Sequence, residues 1–275
     1  LSLYTLHRII GLLKKIFAKY KEAYTMSAIE QNRRFMHCPS FKEKMAESDQ
    51  SKEIPAPPFH NDALPDPIKL TPFTGQLPCP AYEDLLDNRR SLRTYDAEKP
   101  LTQEQLSFLL WSAQGIQFTR GHSSLRPVPS GGARHPFETY VAVRFVSGID
   151  PGLYHYTPQT NIGEKKAAIG RICDFDFENK ITPMLVGQSW AAKAPVVLFY
   201  TCVPYRAEWR YVDMAHRVML IDLGHLGQNV MLSAAALGLG SCCMAAYDQA
   251  LCDEVLGLDG INEYTVYAIS AGAAK

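Results

Sequence analysis

The sequence predicts an α+β fold, and three observations carry that reading. Residues 101–115 and 214–237 show the apolar spacing of helices. Residues 139–145, 195–203 and 264–271 show the alternating or continuous apolar runs of strands. The two kinds are mixed along the chain, without the strict alternation that parallel βαβ units require.

Residues 1–25 come first in chain order. Leu6, Ile9, Ile10, Leu13, Phe17, Tyr20 and Tyr24 recur at three- and four-residue steps, which is helical spacing. Arg8, Lys14, Lys15, Lys19 and Lys21 fill the other face. Such a helix either packs its stripe on the body or on a partner subunit, the commoner use, or lies on an anionic membrane surface. Residues 39–80 are polar and then crowded with Pro55, Pro57, Pro58, Pro65, Pro67, Pro72, Pro78 and Pro80. Prolines this dense exclude regular helix and central strand, so the segment reads as an extended connector over the core surface. Residues 1–80 are therefore read as arm and connector, and residues 81–275 as the folded domain. Inside the domain, 101–115 is a helix with Leu106, Leu109, Leu110 and Trp111 on one side. Residues 139–145 alternate as a strand, 154–156 give another, and 195–203 form a buried strand. Residues 214–237 are apolar nearly all round, which predicts a helix buried on every side. Residues 264–271 are the last strand.

Composition narrows the function. The chain has 275 residues, of which 47% are hydrophobic, enough to bury a sizeable core. Its 28 basic and 28 acidic side chains cancel, which argues against a nucleic-acid binder, although one local basic pocket remains compatible. The seven cysteines (Cys38, Cys79, Cys173, Cys202, Cys242, Cys243 and Cys252) are irregularly spaced with no CxxC pair. No structural zinc site is expected, and the cysteines read as small apolar core residues in a reducing compartment, the cytoplasm. No apolar stretch reaches the roughly 20 residues of a membrane span. The lysines near the start follow the apolar residues, the reverse of a signal peptide.

Five features carry chemistry. Arg89, Arg90, Ser91 and Arg93 lie within five residues, directly after a short helical stretch. Guanidinium forks and a hydroxyl match phosphate oxygens, so the cluster is either a phosphate site or a solvated helix end. Ser130, Gly131 and Gly132 form a turn where backbone can approach something flat, or an ordinary loop before a strand. Residues 237–247 hold almost only small side chains and are either a surface for a planar cofactor or a capped helix end leading into a packed strand. Within the long helix His225, Gln228 and Asn229 are polar, and they bond to a cofactor, across a subunit interface, or within the core. Glu208, Trp209, Arg210, Tyr211 and Asp213 precede that helix, as pocket wall or as helix start.

The order of these motifs resembles the nitroreductase superfamily, and most closely its SagB-type dehydrogenases, which oxidise azolines to azoles. The resemblance rests on RRSLRTY at 89–95, LLWSAQGI at 109–116, PSGGARHPFE at 129–138, PGLYHY at 151–156, APVVL at 194–198, GHLGQNV at 224–230 and ALGLGS at 236–241. It implies an α+β sandwich around a mostly antiparallel sheet, an intertwined homodimer, and FMN at the subunit interface. Arg89, Arg90, Ser91 and Arg93 would then hold the FMN phosphate and ribityl chain. Ser130, Gly131 and Gly132 would reach the ring from the other subunit, with Gln228 also at the cofactor. Met244, Ala245 and Ala246 would line the reactive edge. NAD(P)H is the implied candidate electron donor, and the substrate is a small molecule or peptide-derived. Tyr211 and Arg210 are the implied catalytic pair, with one departure. The azoline-oxidising branch carries lysine where this chain has Arg210, and a guanidinium stays protonated and is no base. That departure leaves, as an alternative, a non-catalytic flavin-binding or scaffold subunit of a biosynthetic complex.

Overall fold

The computed structural model describes residues 41–73 and 80–275, together with residues 30, 32, 33, 35 and 78. The helix expected over residues 1–25 lies outside the described residues, as do Cys38 and Cys79. The chain divides into two compact units, Leu1–Lys44 and Met45–Lys275. Helix α1 (Phe41–Ala46) spans the division and corrects the expectation of an extended chain throughout 39–80. Its residues include no proline, so the proline argument applies only from Pro55 onward.

The elements of the second unit are introduced in chain order. They begin with strand β1 (Ile68–Lys69), helix α2 (Tyr82–Asn88), helix α3 (Gln103–Gln114) and the hairpin of β2 (Phe118–Arg120) with β3 (Ser123–Leu125). Strands β4 (Phe137–Val143), β5 (Gly152–Tyr156) and β6 (Ala168–Cys173) lead to helix α4 (Phe177–Met184) and strand β7 (Val196–Cys202). Helices α5 (Tyr205–Tyr211) and α6 (Ala215–Ala236), strand β8 (Gly240–Met244), helix α7 (Gln249–Leu256) and strand β9 (Tyr264–Gly272) complete the unit. Seven strands form one sheet in the order β1-β6-β5-β4-β7-β9-β8, with every neighbouring pair antiparallel.

Two-residue periodicity sends alternate side chains to opposite faces of this sheet. Val141, Val143, Leu198, Tyr200 and Ile269 join Leu106, Leu109 and Leu110 of α3 and Leu226 and Val230 of α6 in one core. Tyr140, Ala142, Val197, Phe199 and Ala268 join Ile181 of α4 and Cys252 and Leu256 of α7 in the other. Burial on both faces is why β7 reads in sequence as a continuous apolar run. Helix α3 begins at a capping box, in which the Thr102 hydroxyl accepts from Gln105 N–H and the Gln105 side chain accepts from Thr102 N–H at 2.9 Å. Strand β4 stops two residues short of the expected 145, because Arg144 and Phe145 both turn their N–H groups to Pro195 O, at 2.9 and 3.0 Å.

Helix α6 corrects a second expectation, since it is not buried on every side. Leu220 is 60% exposed and Ile221 55%, and Gly224, His225 and Gln228 are exposed beside them. The sheet and α3 cover one face of α6 and leave this stripe uncovered. Among the cysteines, Cys202, Cys242 and Cys252 are buried, and burial pushes the Cys202 and Cys252 thiols up to about 12. Cys173 departs from the core reading, because it sits on the exposed half of β6. Among the described residues no cluster of metal-ligating side chains occurs, and no helix is long and apolar enough to cross a membrane.

Candidate functional site

The arginine segment is built onto the edge of the sheet. Helix α2 ends as Arg89 N–H donates to Leu85 O at 2.9 Å. The chain then runs beside β8: Ser91 bridges to Ser241, and Leu92 N–H donates to Ser241 O at 2.9 Å. Leu92 lies on Gly240, where a Cβ would come within 1.9 Å of Leu92 Cδ2, so only glycine permits the approach. Tyr95 anchors the far end, its hydroxyl 2.7 Å from Ser270 Oγ. Arg89 is left half-buried, and Arg90, Ser91 and Arg93 are exposed. Arg90 donates to Arg89 O at 2.9 Å, and the Arg93 guanidinium lies 5.8 Å from the Trp190 ring centre. Among the described residues none of these three guanidinium groups faces a carboxylate. A cavity of about 320 Å³ opens between Arg89, Arg90, Leu92, Met231, Gly240 and Ser241. Three residues along β8 from Ser241, about 10 Å at strand rise, Met244 is buried while Ala245 and Ala246 are exposed.

The glycine turn is built on the other end of α6. Ser130 hydroxyl donates to the Asp222 carboxylate at 2.6 Å, and Gly131 N–H donates to it at 3.1 Å. Burial raises the Asp222 pKa, and those two bonds oppose the rise. Gly132 has a φ of 59° and lies against Arg210 and Tyr211, where a Cβ would come within 2.7 Å of Arg210 Cδ and 2.8 Å of the Tyr211 hydroxyl. Tyr211 closes α5, and the next residue, Val212, takes a φ of 50°, a strained conformation for a β-branched residue. Arg210 Nη1 donates to Gln50 Oε1 at 2.8 Å.

The fold thus gathers the expected residues into two groups. Arg89, Arg90, Ser91 and Arg93 lie near Met244, Ala245 and Ala246, while Ser130, Gly131 and Gly132 lie with Arg210 and Tyr211. It does not bring the groups together within one chain. Val218 and Asp222 touch the glycine turn, whereas Met231 and Ala235 line the arginine pocket. Asp222 and Ala235 are thirteen positions apart on the helix, about 20 Å. Gln228 is exposed on the uncovered stripe between them, and Asn229 bonds within the core to Ser112 O. Sequence reasoning missed Asp222, Arg134 and Gln50. Asp222 carried a signal as the sole acid within α6, whereas Gln50 carried none.

Comparison with known proteins places these features in one family. The nitroreductase family model matches residues 86–273. The chain is 35% identical to the nitroreductase-like protein MJ1384 of Methanocaldococcus jannaschii over 190 residues, covering 69% of this chain and 89% of that one. It is 30% identical to the trifolitoxin-processing protein TfxB of Rhizobium leguminosarum bv. trifolii over 154 residues, covering 55% of this chain and 40% of that one. In fold it is similar to a chain of the E. coli microcin synthetase McbBCD complex, solved with truncated pro-MccB17 bound. That match has a TM-score of 0.56 at 20% identity and covers 78% of this chain and 79% of that one. The ordered motifs, the antiparallel sheet and a family match across most of the chain agree, and the protein belongs to the nitroreductase family.

Proposed function

We propose that this nitroreductase-family oxidoreductase is FMN-dependent, of the SagB-type dehydrogenase branch, and acts as a homodimer in the cytoplasm with NAD(P)H as electron donor. The observation that carries the reading is the trio Arg89, Arg90 and Arg93, set beside Ser91 on a sheet edge and, among the described residues, without a carboxylate to neutralise them. Their forks and the Ser91 hydroxyl suit a phosphate monoester. The small, exposed Ala245 and Ala246 leave backbone open to a planar ring. When bound, FMN supplies hydride transfer, and the protein supplies orientation and electrostatics.

The distance along α6 supports the dimer. If one flavin is to touch both the arginine pocket and the Ser130–Gly132 turn, the second group comes from another copy. The uncovered stripe at Leu220, Ile221 and Gln228 is where that copy would pack. Ser130 is oriented by Asp222, so its turn arrives preformed. Tyr211 holds a hydroxyl beside Gly132, and Arg210 adds a fixed positive charge that orients a substrate rather than removing its proton. The processing role in the name of the Rhizobium relative, and the bound pro-MccB17 of the E. coli complex, support a peptide-derived substrate.

Full-length protein is expected to purify yellow and to release FMN, identified by mass. Arg89→Ala combined with Arg93→Ala is expected to weaken FMN retention about tenfold or more, the worth of a charge-assisted hydrogen bond, with little change in melting. Colourless protein that takes up no added FMN overturns the proposal.

A further inference from the structure

Beside the glycine turn, two guanidinium groups lie near each other with no acid between them. Arg134 is 6% exposed. Its Nε donates to Gly132 O at 3.1 Å and its Nη2 to Ser123 Oγ at 2.6 Å, while the guanidinium stacks 5.0 Å from the Trp209 ring centre. Among the described residues Arg210 donates only to Gln50, and it lies 5.5 Å from the Tyr211 ring centre. Its Nε is sealed from solvent without an acceptor. Among the described residues neither arginine has a carboxylate within ion-pair distance. Burial first, and then the Arg210 charge, lower the Arg134 pKa. Two like charges drawn partly out of water are costly unless an anion joins them.

The frame around the pair is fixed from several sides. Gln50 N–H donates to Trp209 O at 2.9 Å, Trp209 Nε1 donates to Ile54 O at 2.8 Å, and the Tyr205 hydroxyl donates to Asp49 at 3.0 Å. The segment 49–54 therefore straps helix α5 and sets the Arg210 side chain through Gln50. Gly132, between the two arginines, is exposed, so the pair opens to the outside at the turn. Arg134 Nη1 and Arg210 Nη2 make no protein hydrogen bond among the described residues. Two planar forks, each backed by an aromatic ring and each with an Nη group unbonded among the described residues, match one planar, singly charged acceptor.

We propose that Arg134 and Arg210, with Gln50 as a positioning residue, form a subsite for a carboxylate carried by the substrate. The inference rests on the flavin reading only in placing the turn beside the ring. A phosphate monoester shares the anionic chemistry but brings a tetrahedral dianion to two planar forks, whereas the Arg89–Arg93 cluster offers three guanidinium groups and the Ser91 hydroxyl.

The test is calorimetric titration of full-length, FMN-loaded protein with benzoate, its neutral isostere benzamide, and phenyl phosphate. Benzoate is expected to bind about tenfold or more tightly than either. Arg210→Gln is expected to remove most of that preference and Gln50→Leu to cut it about threefold, with each affinity taken per bound FMN and each variant's melting recorded alongside. Benzamide binding as tightly as benzoate, or an intact preference in Arg210→Gln, overturns the subsite. Tighter phenyl phosphate overturns the carboxylate assignment. The titration is repeated on flavin-free protein: a benzoate preference in a protein that takes up no FMN keeps the subsite and refutes the flavin reading alone.

Discussion

Glu138→Gln removes one charge from the middle of the fold and is expected to cost about 3 kcal/mol of stability at neutral pH. Glu138 sits near the start of β4, 3% exposed. Its carboxylate is ion-paired with Arg206 Nη1 at 2.7 Å, accepts from Asn61 N–H at 2.7 Å, and lies 3.0 Å from His155 Nε2. Burial by itself would raise its pKa. The Arg206 charge and the His155 hydrogen bond outweigh burial and hold it at about 2, against an ordinary 4.5. A depression of that size corresponds to about 3 kcal/mol of folding free energy. Because the folded-state value is the lower one, the contribution is complete above the ordinary value and disappears as pH falls towards about 2. Independently, a buried guanidinium stripped of its counter-charge costs about 3–5 kcal/mol, and glutamine leaves Arg206 in that condition. Two routes therefore give the same magnitude. Urea unfolding measured from neutral pH into acid checks both parts. The variant should be less stable at neutral pH, and its stability should fall less steeply in acid. A loss under about 1 kcal/mol, or an acid limb as steep as wild type's, refutes the reasoning. The effect reaches the candidate site because Arg206 lies on α5 and Asn61 belongs to the segment continuing from the 49–54 strap.

Gly240→Ala places a methyl 1.9 Å from Leu92 Cδ2, costs about 1–3 kcal/mol as overpacking, and lifts the arginine segment off β8. FMN affinity should fall and return when Leu92→Ala is added, and strictly additive losses in unfolding and FMN titration refute the contact. Leu220→Glu puts a charge on the uncovered stripe of α6 and should weaken self-association about tenfold or more by analytical sedimentation, since burying such a leucine is worth about 1.5–3 kcal/mol. An unchanged association constant would show that the stripe is not the contact between copies.

How much of this was legible in the sequence depends on where each signal is stored. Strands β4, β7 and β9 and helix α6 were legible because burial writes itself into consecutive residues of one segment. Strand β8 left its reading open: Gly-Ser-Cys-Cys-Met has weak intrinsic preference and becomes a strand by pairing with β9, Ser241 opposite Ala271 and Met244 opposite Ala268. The arginine cluster was visible as a local run, but its place on a sheet edge depends on Ser91 and Leu92 meeting Ser241, a contact no window of sequence contains. Gln50 is the extreme case, one polar residue in a connector whose side chain meets Arg210. Helix α6 shows why even legible motifs need geometry. The family resemblance put the glycine turn on another subunit from the arginines and the small-residue run, but no stretch of sequence gives the distance between them. The rise of a helix sets the turn and the pocket about 20 Å apart, and the apolar stripe that the sequence suggested should be buried lies uncovered between them. Together, the gap and the stripe are why the proposed flavin site calls for a second copy.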